Sequence, residues 1–302
     1  EDAGVTVYCH AWGSEALMEG NRVIGVTFQS KEGRKAILAG KVIDCTGDGD
    51  IFASAGCAYE KEYSGDDRSY NVSVVFRLGN VDSEEFRNWK YDPNSHYRDK
   101  LAEYKKLFGY RISPFVTPMK DIMWVNNFVE GKDCCNVQDL TDTEMLIRRS
   151  LNEGIEWIRE NVPGFKNAFL HDTAPQLGTR GSRRLNGTYR LTMDDIAQTI
   201  EHEDTIAIIP AHRRMKYKSP IELPYGVMLP ADDVEDLLAA GRCFSSAHDA
   251  NDHANLIPHC VALGEAAGAA AALALQSNTT FRDVDVKKVQ QMLKKQGVYL
   301  PR

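Results

Sequence analysis

The stretch Val42-Ile43-Asp44-Cys45-Thr46-Gly47-Asp48-Gly49-Asp50 decides the fold, because it joins a short apolar run to a glycine-rich turn. The pattern predicts a strand over Lys41 to Cys45, a tight turn, and a helix over about Asp50 to Ala55. A strand, a glycine turn and a helix in this order let backbone amides approach a nucleotide closely. The starting hypothesis is therefore an α/β domain with such a site, and the alternative is an ordinary strand-to-helix turn.

Apolar runs on both sides of this stretch extend the same domain. Four of them have strand patterns: Gly4 to Cys9, Arg22 to Ser30, Arg34 to Leu38 and Glu235 to Ala240. The last is followed by Gly241-Arg242-Cys243 and then by a helix rich in alanine and glycine, from about Pro258 to Gln276. A basic amphipathic helix over Val284 to Gln296 ends the pattern.

The middle of the chain has a different character. Tyr70 to Leu78 alternates as a strand, two charged amphipathic segments follow, and Pro114 to Val129 is extended in pattern. Thr141-Asp142-Thr143-Glu144 has the form of a capping box, which predicts a helix that begins there and ends at Pro163-Gly164. We therefore expect an α+β domain over residues 65–225, inserted between two pieces, 1–64 and 226–302, of the first domain.

Three segments in order resemble the FAD-dependent oxidoreductase family that is distantly related to the fumarate-reductase and succinate-dehydrogenase flavoproteins. They are the stretch quoted above, Gly178-Thr179-Arg180-Gly181-Ser182-Arg183-Arg184-Leu185-Asn186-Gly187-Thr188-Tyr189, and the region from Leu223-Pro224-Tyr225 through Gly241-Arg242 to Gly264-Glu265-Ala266-Ala267-Gly268. The resemblance implies an α/β fold with a Rossmann-like FAD-binding domain and an inserted α+β substrate domain. Because G-x-G-x-x-G is absent, the FAD-binding domain is expected to be incomplete at its N-terminus.

The resemblance implies which residues hold the cofactor. The turn would lie against the ADP half of FAD, Gly241-Arg242 would line the ribityl-pyrophosphate region, and the helix from Pro258 would point free amides at the flavin over about Ile257 to Val261. The candidate cofactor-binding residues are Thr46, Gly47, Asp48, Gly241, Arg242, Pro258, Cys260 and Gly264.

Candidates for catalysis come from titratable and cationic side chains near these segments. They are His248, His253, His259, Arg180 and Tyr225. Histidine suits proton transfer coupled to hydride transfer, since it titrates near neutral pH. The histidines could equally serve loop structure, and no carboxylate or cysteine completes a metal-ligand pattern with them. The arginines at 180, 183 and 184 could bind an anionic substrate or hold the domain together through carboxylate pairs.

Asn255 stands where many family members carry an arginine shortly before the P-x-C of the last long helix. This departure argues against a clamp for a substrate carboxylate at that point, and it favours a neutral or polyhydroxylated substrate.

Composition narrows the class of protein further. The chain has 302 residues and a net charge of -7, which argues against a nucleic-acid partner. Its seven cysteines include no C-x-x-C pair, so we expect neither a zinc site nor an iron-sulfur cluster, and we expect a reducing cytoplasm. The most apolar run, Val261 to Leu275, is shorter than the roughly 18 to 20 residues of a membrane span.

The leading functional hypothesis is an FAD-dependent oxidoreductase that transfers hydride between a small-molecule substrate and the flavin. The alternative is a flavin-bearing electron-transfer or assembly subunit of a larger complex, without a substrate site of its own. Because the nucleotide-binding motif is missing, we also expect further upstream chain, or a partner subunit, to complete the FAD site.

Overall fold

The computed structural model describes residues 2–61, 72–198, 200–210 and 220–301. These fall into two compact units, one formed by Glu1–Glu62 with Gly181–Arg302 and the other by Tyr63–Arg180. The first unit is discontinuous in sequence. Its second boundary, however, lies at 180/181 and not at 225/226.

Residues 181–225 belong to the first unit because their backbone is hydrogen-bonded to it. The amide of Leu185 donates to the carbonyl of Cys243, and that of Leu191 donates to the carbonyl of Ser245. These partners are far away in sequence. The local sequence patterns that placed the boundary at 225/226 could therefore not locate it at 180/181.

The first unit contains small sheets and the longest apolar helix. Its elements are β1 (Trp12–Glu19), β2 (Arg22–Ser30), β3 (Gly33–Leu38), β4 (Val42–Asp44), α1 (Asp50–Ser54), β5 (Tyr59–Glu60), β12 (Arg184–Leu185), α5 (Met193–Gln198), β13 (Thr205–Ile209), β14 (Ile221–Pro224), β15 (Leu237–Ala239), α6 (His248–Ala254), α7 (Ile257–Ser277) and α8 (Val286–Lys295). A short 3-10 turn covers Tyr225–Val227.

The strands named in this unit pair antiparallel except for β4 with β15, and isolated parallel bridges join Arg22 to Glu235 and Leu191 to Ser246. The strands β1, β2 and β3 form one sheet, while β13 pairs with β14 and β12 with β5. β4 and β15 pair in parallel, with Val42 opposite Leu237 and Asp44 opposite Ala239. Parallel pairing brings the carboxyl ends of both strands to the same edge, which is where the candidate site lies.

The expected first strand is wrong. Gly4 to Cys9 is not a strand. The exposed fractions of Val5, Val7 and Tyr8 are 61%, 60% and 61%. Strand β1 begins later, at Trp12, where pairing with β2 is available. Apolar content alone therefore predicted a strand that has no hydrogen-bonding partner.

The second unit is a sheet packed against helices. Its elements are β6 (Val72–Ser73), β7 (Phe76–Gly79), α2 (Ser83–Tyr91), α3 (Tyr97–Phe108), β8 (Arg111–Val116), β9 (Met123–Phe128), α4 (Val137–Asn161), β10 (Phe169–Thr173) and β11 (Gly178–Thr179). The main sheet has the order β10-β7-β9-β8 and is antiparallel throughout. The described part of the run Tyr70 to Leu78 thus forms two short strands instead of one; Tyr70 itself lies outside the described residues.

Helix α4 begins four residues before the expected capping box. Its N-cap is Asn136, whose side-chain oxygen accepts from the amides of Gln138 and Asp139 at 2.9 and 3.2 Å. Thr141 lies inside the helix, where its hydroxyl donates to the carbonyl of Val137.

Helix α7 is the core helix of the first unit. Within the described residues it alone is long and apolar enough to cross a membrane, with 21 residues and a mean hydropathy of 1.3. No membrane-length stretch was expected from the sequence, because the apolar run from Val261 to Leu275 is shorter than this helix. A core helix has the same composition, and eight side chains of α7 are buried: His259, Leu263, Ala266, Ala267, Ala269, Ala270, Leu273 and Ala274.

Candidate functional site

Asp44, at the carboxyl end of β4, organises the glycine-rich turn. Its carboxylate is fully buried and accepts four hydrogen bonds: from the amide and hydroxyl of Thr46 at 2.9 and 2.7 Å, and from the amides of Ile51 and Phe52 at 3.0 and 2.9 Å. Gly49, the N-cap of α1, has no side chain to cap that helix. Asp44 therefore caps α1 from seven residues upstream and closes the turn at the same time.

The turn itself requires glycine at position 47. Gly47 has a φ of 84°, and a Cβ placed there would lie 1.8 Å from Nη1 of Arg242. The Arg242 guanidinium thus lies directly over the turn, and its Nη2 donates to Oδ2 of Asp48 at 2.8 Å. The structure brings together three of the predicted cofactor residues and a fourth, Thr46, which donates to Asp44.

Two residues of the arginine segment join this cluster. The hydroxyl of Ser182 donates to Oδ1 of Asp48 at 2.8 Å, and Arg183 contacts Oδ1 of Asp50 at 3.0 Å. Burial raises the pKa of Asp50, and the nearby carboxylates of Asp48 and Asp44 raise it further, against the guanidinium of Arg183. We call the set Asp44, Thr46, Gly47, Asp48, Asp50, Ser182, Arg183 and Arg242 the β4 turn cluster.

Gly241 lies beside the cluster at the end of β15. It has a φ of 94°, and among the residues that the structure describes no atom outside its two chain neighbours lies within 4 Å of the position that its Cβ would occupy. The amide of Ala240 donates to the carbonyl of Asp44 at 2.9 Å, which joins the two strand ends. An open glycine next to a guanidinium is a combination that fits a phosphate group, because the main chain can be approached and the charge is complementary.

The amino end of α7 differs from the expected row of free amides. Pro258 has no amide hydrogen, and the amides of His259 and Cys260 both donate to the carbonyl of Leu256, at 2.9 and 3.0 Å. The thiol of Cys260 donates to the carbonyl of Asn255 at 3.4 Å. Burial raises the pKa of Cys260, and Arg242 opposes that shift. The 3-10-like first turn thus occupies amides that sequence reasoning assigned to the flavin.

Space remains along α7 itself. In the part of the chain that the structure describes, a Cβ at Gly264 or at Gly268 would meet no atom within 4 Å outside its chain neighbours and the backbone of α7 itself. The predicted cofactor residue Gly264 therefore lies on an open side of the helix.

The three histidines occupy different environments. His248 and His253 are partly exposed and lie on α6, a helix in a region that we expected to be a loop. His259 is only 8% exposed, and its Nδ1 has no hydrogen-bond partner among the residues that the structure describes. Burial lowers the pKa of His259, against a hydrogen bond with the backbone of Ala254. His259 is therefore an imidazole of the core, and its burial favours the uncharged form.

Tyr225 and Arg184 are held by structural contacts. The Tyr225 side chain is 4% exposed, and its hydroxyl donates to the carbonyl of Phe281 at 2.9 Å. Burial also raises its pKa, so the predicted role in proton transfer has no support in this geometry. Arg184 is 2% exposed and its Nε donates to the carbonyl of Ser246 at 3.0 Å.

Arg180 belongs to the second unit. Its guanidinium lies over the ring of Phe128, 5.2 Å from the centroid. Of the arginine segment, residue 183 thus joins the β4 turn cluster, residue 184 supports the core of the first unit, and residue 180 contacts an aromatic side chain of its own unit, the second.

Sequence reasoning missed Asp44, Ser182 and Asn251. Asn251 is 1% exposed, and its side-chain amide donates to the carbonyl of Arg242 and to the hydroxyl of Ser246, at 3.0 and 2.9 Å. A signal was available for Asp44, since an acid that ends a buried strand needs hydrogen-bond donors. Nothing local marks Ser182 or Asn251, whose partners are distant or on another element.

Comparison with solved structures finds remote similarities, among them the following three. A geranylgeranyl bacteriochlorophyll reductase-like protein from Thermoplasma acidophilum is 14% identical with a TM-score of 0.47, covering 98% of this chain and 56% of that one. A variant of the flavin-dependent brominase Bmp2 is 11% identical with a TM-score of 0.40, covering 94% and 55%. The myxobacterial FAD-dependent halogenase CndH is 11% identical with a TM-score of 0.40, covering 95% and 50%. The chain spans about half the length of these structures.

No protein with a curated description matches the chain. The profile of the family described as FAD dependent oxidoreductase matches residues 1–293. This match covers the second unit, the first unit up to residue 293, and every candidate residue named above. The chain therefore belongs to the FAD dependent oxidoreductase family, an enzyme family whose cofactor is FAD.

Proposed function

We propose that this protein is an oxidoreductase that transfers hydride between a small-molecule substrate and FAD, with the first unit holding the cofactor. The observation that carries the proposal is the arrangement of Gly47, Arg242 and Gly241 at the paired ends of β4 and β15. It combines an open main-chain position with a cation, at the sheet edge where α/β proteins bind nucleotides. FAD, when bound, supplies the site that accepts or donates hydride.

The residues of the chain have distinct tasks in this proposal. Arg242 and the main chain at Gly241 hold the pyrophosphate, and Asp44 keeps the turn at Gly47 in its conformation. Asp48 holds the Arg242 guanidinium in position through the contact at 2.8 Å. His248 or His253 moves the proton that accompanies hydride transfer, because both are partly exposed whereas His259 is buried.

The rest of the FAD site is also part of the proposal. The 302 residues contain no G-x-G-x-x-G, the motif that holds the ADP part in dinucleotide-binding βαβ units. We propose that a βαβ unit outside these residues, on further chain or on a partner subunit, supplies it. The substrate domain of the proposal is the second unit, and a reducing cytoplasm remains the proposed location.

The test is the FAD affinity of the full-length protein carrying Arg242→Met. Loss of a charge-assisted hydrogen bond to phosphate costs about 1.5 to 3 kcal/mol, so we expect FAD to bind roughly 10- to 100-fold more weakly. The flavin absorbance of the purified protein and a titration with free FAD measure this change.

The matched control is Arg149→Met, at an exposed arginine of α4, which should retain wild-type affinity. Thermal unfolding of both variants separates loss of binding from loss of fold. A wild-type protein without affinity for FAD, or an Arg242→Met protein with unchanged affinity, would contradict the proposal. The 302 residues expressed alone should bind FAD more weakly than the full-length protein does.

A further inference from the structure

The parallel sheet of β4 and β15 is covered on both faces and open at one edge. Val42 packs in a cluster with Val23, Ile51 and Phe52, whereas Ile43 packs against the cluster that contains α7. Within the described residues β4 pairs with β15 and with no other strand. Parallel sheets are found enclosed by other elements, so the open edge of β4 is a place where a further strand fits.

The hydrogen-bonding groups of β4 alternate between its two edges. The amide of Val42 donates to the carbonyl of Asp236, and the carbonyl of Asp44 accepts from the amide of Ala240, both on the β15 side. Ile43 lies between them, so its amide and carbonyl point to the opposite edge. Because the existing pair is parallel, a parallel strand is favoured there, and such a strand needs a crossover connection, usually a helix.

Helix α7 lies along this sheet in the direction opposite to the strands. Leu275, near the end of α7, lies beside Gly40, which precedes β4: a Cβ at Gly40 would lie 3.1 Å from Cδ2 of Leu275. At the other end, Asn251, just before α7, donates to the carbonyl of Arg242, just after β15. The helix therefore extends from the carboxyl ends of the strands to the amino end of β4.

One side of α7 is apolar and exposed along the length of the helix. The exposed fractions of Ile257, Val261 and Leu275 are 81%, 64% and 58%. Six uncharged residues share this side, since at 100° per residue they fall within about 80° of one another. They are Ile257, Val261, Gly264, Gly268, Ala272 and Leu275, which we call the α7 stripe. Large side chains at its ends and small ones at its centre fit a second helix whose backbone comes close in the middle.

We propose that the open edge of β4 and the α7 stripe are the docking surface of a βαβ unit on the same polypeptide. Its strand lies parallel to β4, and its helix packs on the α7 stripe. A βαβ unit supplies both elements at once, because its crossover helix returns over one face of the sheet that its strands extend.

The length of β4 favours a tethered unit over a separate subunit. The strand has three residues, so its edge offers few hydrogen bonds. Attachment within one polypeptide raises the effective concentration of the docking unit, which a contact this small requires. The inference rests on the proposed function where it takes this unit to be the one that holds the ADP part of FAD.

Hydrogen exchange of the full-length protein, resolved to single amides, tests the strand. The amide of Ile43 should exchange at least roughly 10²-fold more slowly than an unstructured amide, because it is paired. The amide of Val42, which donates to Asp236 at 2.9 Å, is the reference for a paired position. Protection at Ile43 should be unchanged when the protein is diluted about 100-fold, since the unit is tethered.

Gly268→Leu tests the helix contact. Leucine favours a helix more than glycine does, so on a water-exposed side the substitution should raise the midpoint of thermal unfolding by roughly 2 to 4 °C. Against a docked helix the added side chain overpacks the contact, so we expect the midpoint to fall by roughly 2 to 10 °C. Gln291→Leu, at an exposed position of α8, serves as the control and should shift the midpoint by less than about 2 °C.

Rapid exchange at Ile43, or a raised midpoint in Gly268→Leu, would overturn the inference. Protection at Ile43 that disappears on dilution would assign the surface to a separate subunit or to a second copy, and would overturn it as well. Binding to vesicles of phosphatidylcholine and phosphatidylglycerol that is lost in Ile257→Asp would also overturn it, because the α7 stripe would then face lipid.

Flavin content, measured on the same samples, separates this inference from the proposed function. Protection at Ile43 in a protein without affinity for FAD keeps the docking surface and refutes the proposed function. FAD binding in a protein with an unprotected Ile43 does the reverse.

Discussion

Single residues in the first unit connect segments that are far apart in sequence. Asp44 links the end of β4 to the start of α1, and Arg242 reaches Asp48 from the end of β15. Asn251 in turn holds the carbonyl of Arg242. The chemistry proposed for the turn therefore depends on side chains that touch no ligand and that position the ones that would.

Asp44→Asn should be strongly destabilising. The asparagine has nearly the same shape, but its amide nitrogen would face amide hydrogens that the carboxylate now accepts. Leaving such buried donors unpaired costs about 2 to 4 kcal/mol. Urea unfolding followed by circular dichroism measures the loss.

Asp194→Asn, at an exposed position of the first turn of α5, is the control and should change stability by about 0.5 kcal/mol or less. Equal stability of the Asp44→Asn and wild-type proteins would show that the turn is held by something other than this carboxylate.

The three histidines should separate in two assays. His248→Asn and His253→Asn are made separately. One of the two variants should turn over roughly 10²-fold more slowly than the wild-type protein, because it has lost the proton donor or acceptor. His259→Asn should leave turnover within a few-fold, because its imidazole is buried. Steady-state kinetics with flavin content measured in parallel gives these values.

His259 should instead appear in the pH dependence of unfolding. Its folded pKa lies below the unfolded value of about 6.5, so the unfolded chain takes up the proton first as pH falls. Stability is therefore full above about pH 6.5 and is lost below it, with a slope of at most about 1.4 kcal/mol per pH unit. His259→Asn should flatten this loss, whereas His96→Asn, whose side chain is 83% exposed, should not.

At the scale of elements, the sequence predicts regular segments better than their ends. The strands β2 and β4 and the helices α7 and α8 lie within a few residues of their predicted bounds, because apolar periodicity reports burial directly. Strand β3 also lies near its predicted bounds, although all of its residues are exposed. The start of α4 was wrong, since Asn136 and Thr141 both have side chains able to cap a helix. Local chemistry alone does not choose between them, and tertiary packing does.

The observed N-cap of α4, Asn136, can be compared directly with the cap that the sequence predicted, Thr141. Asn136→Ala should cost about 1 kcal/mol, since two amides of the first turn lose their acceptor. Thr141→Ala should cost less than about 0.5 kcal/mol, because its hydroxyl only contacts a carbonyl inside the helix. Chemical unfolding of the two variants measures both costs. A larger loss for Thr141→Ala than for Asn136→Ala would place the start of the helix at the capping box.

At the scale of the whole molecule, resemblance in the sequence identified the family, and it singled out two segments that the structure brings into contact, Thr46 to Asp48 and Gly241-Arg242. Periodicity alone would have left those segments unrelated. What could not be predicted depends on long-range partners: the boundary at 180/181, the links through Ser182 and Asn251, and the burial of His259. Each of these is decided by a contact between residues that no local pattern connects.

The parallel pairing of β4 with β15 constrains the order in which the chain can fold during synthesis. Lys41 and Asp236, which flank this pairing and contact each other, are 195 positions apart. At roughly 5 to 20 residues per second, β4 leaves the ribosome about 10 to 40 s before its partner strand exists. The second unit lies between them and is continuous, so it can fold during that interval. The sheet edge that carries the β4 turn cluster is therefore assembled late, and a nascent chain paused before residue 237 lacks it.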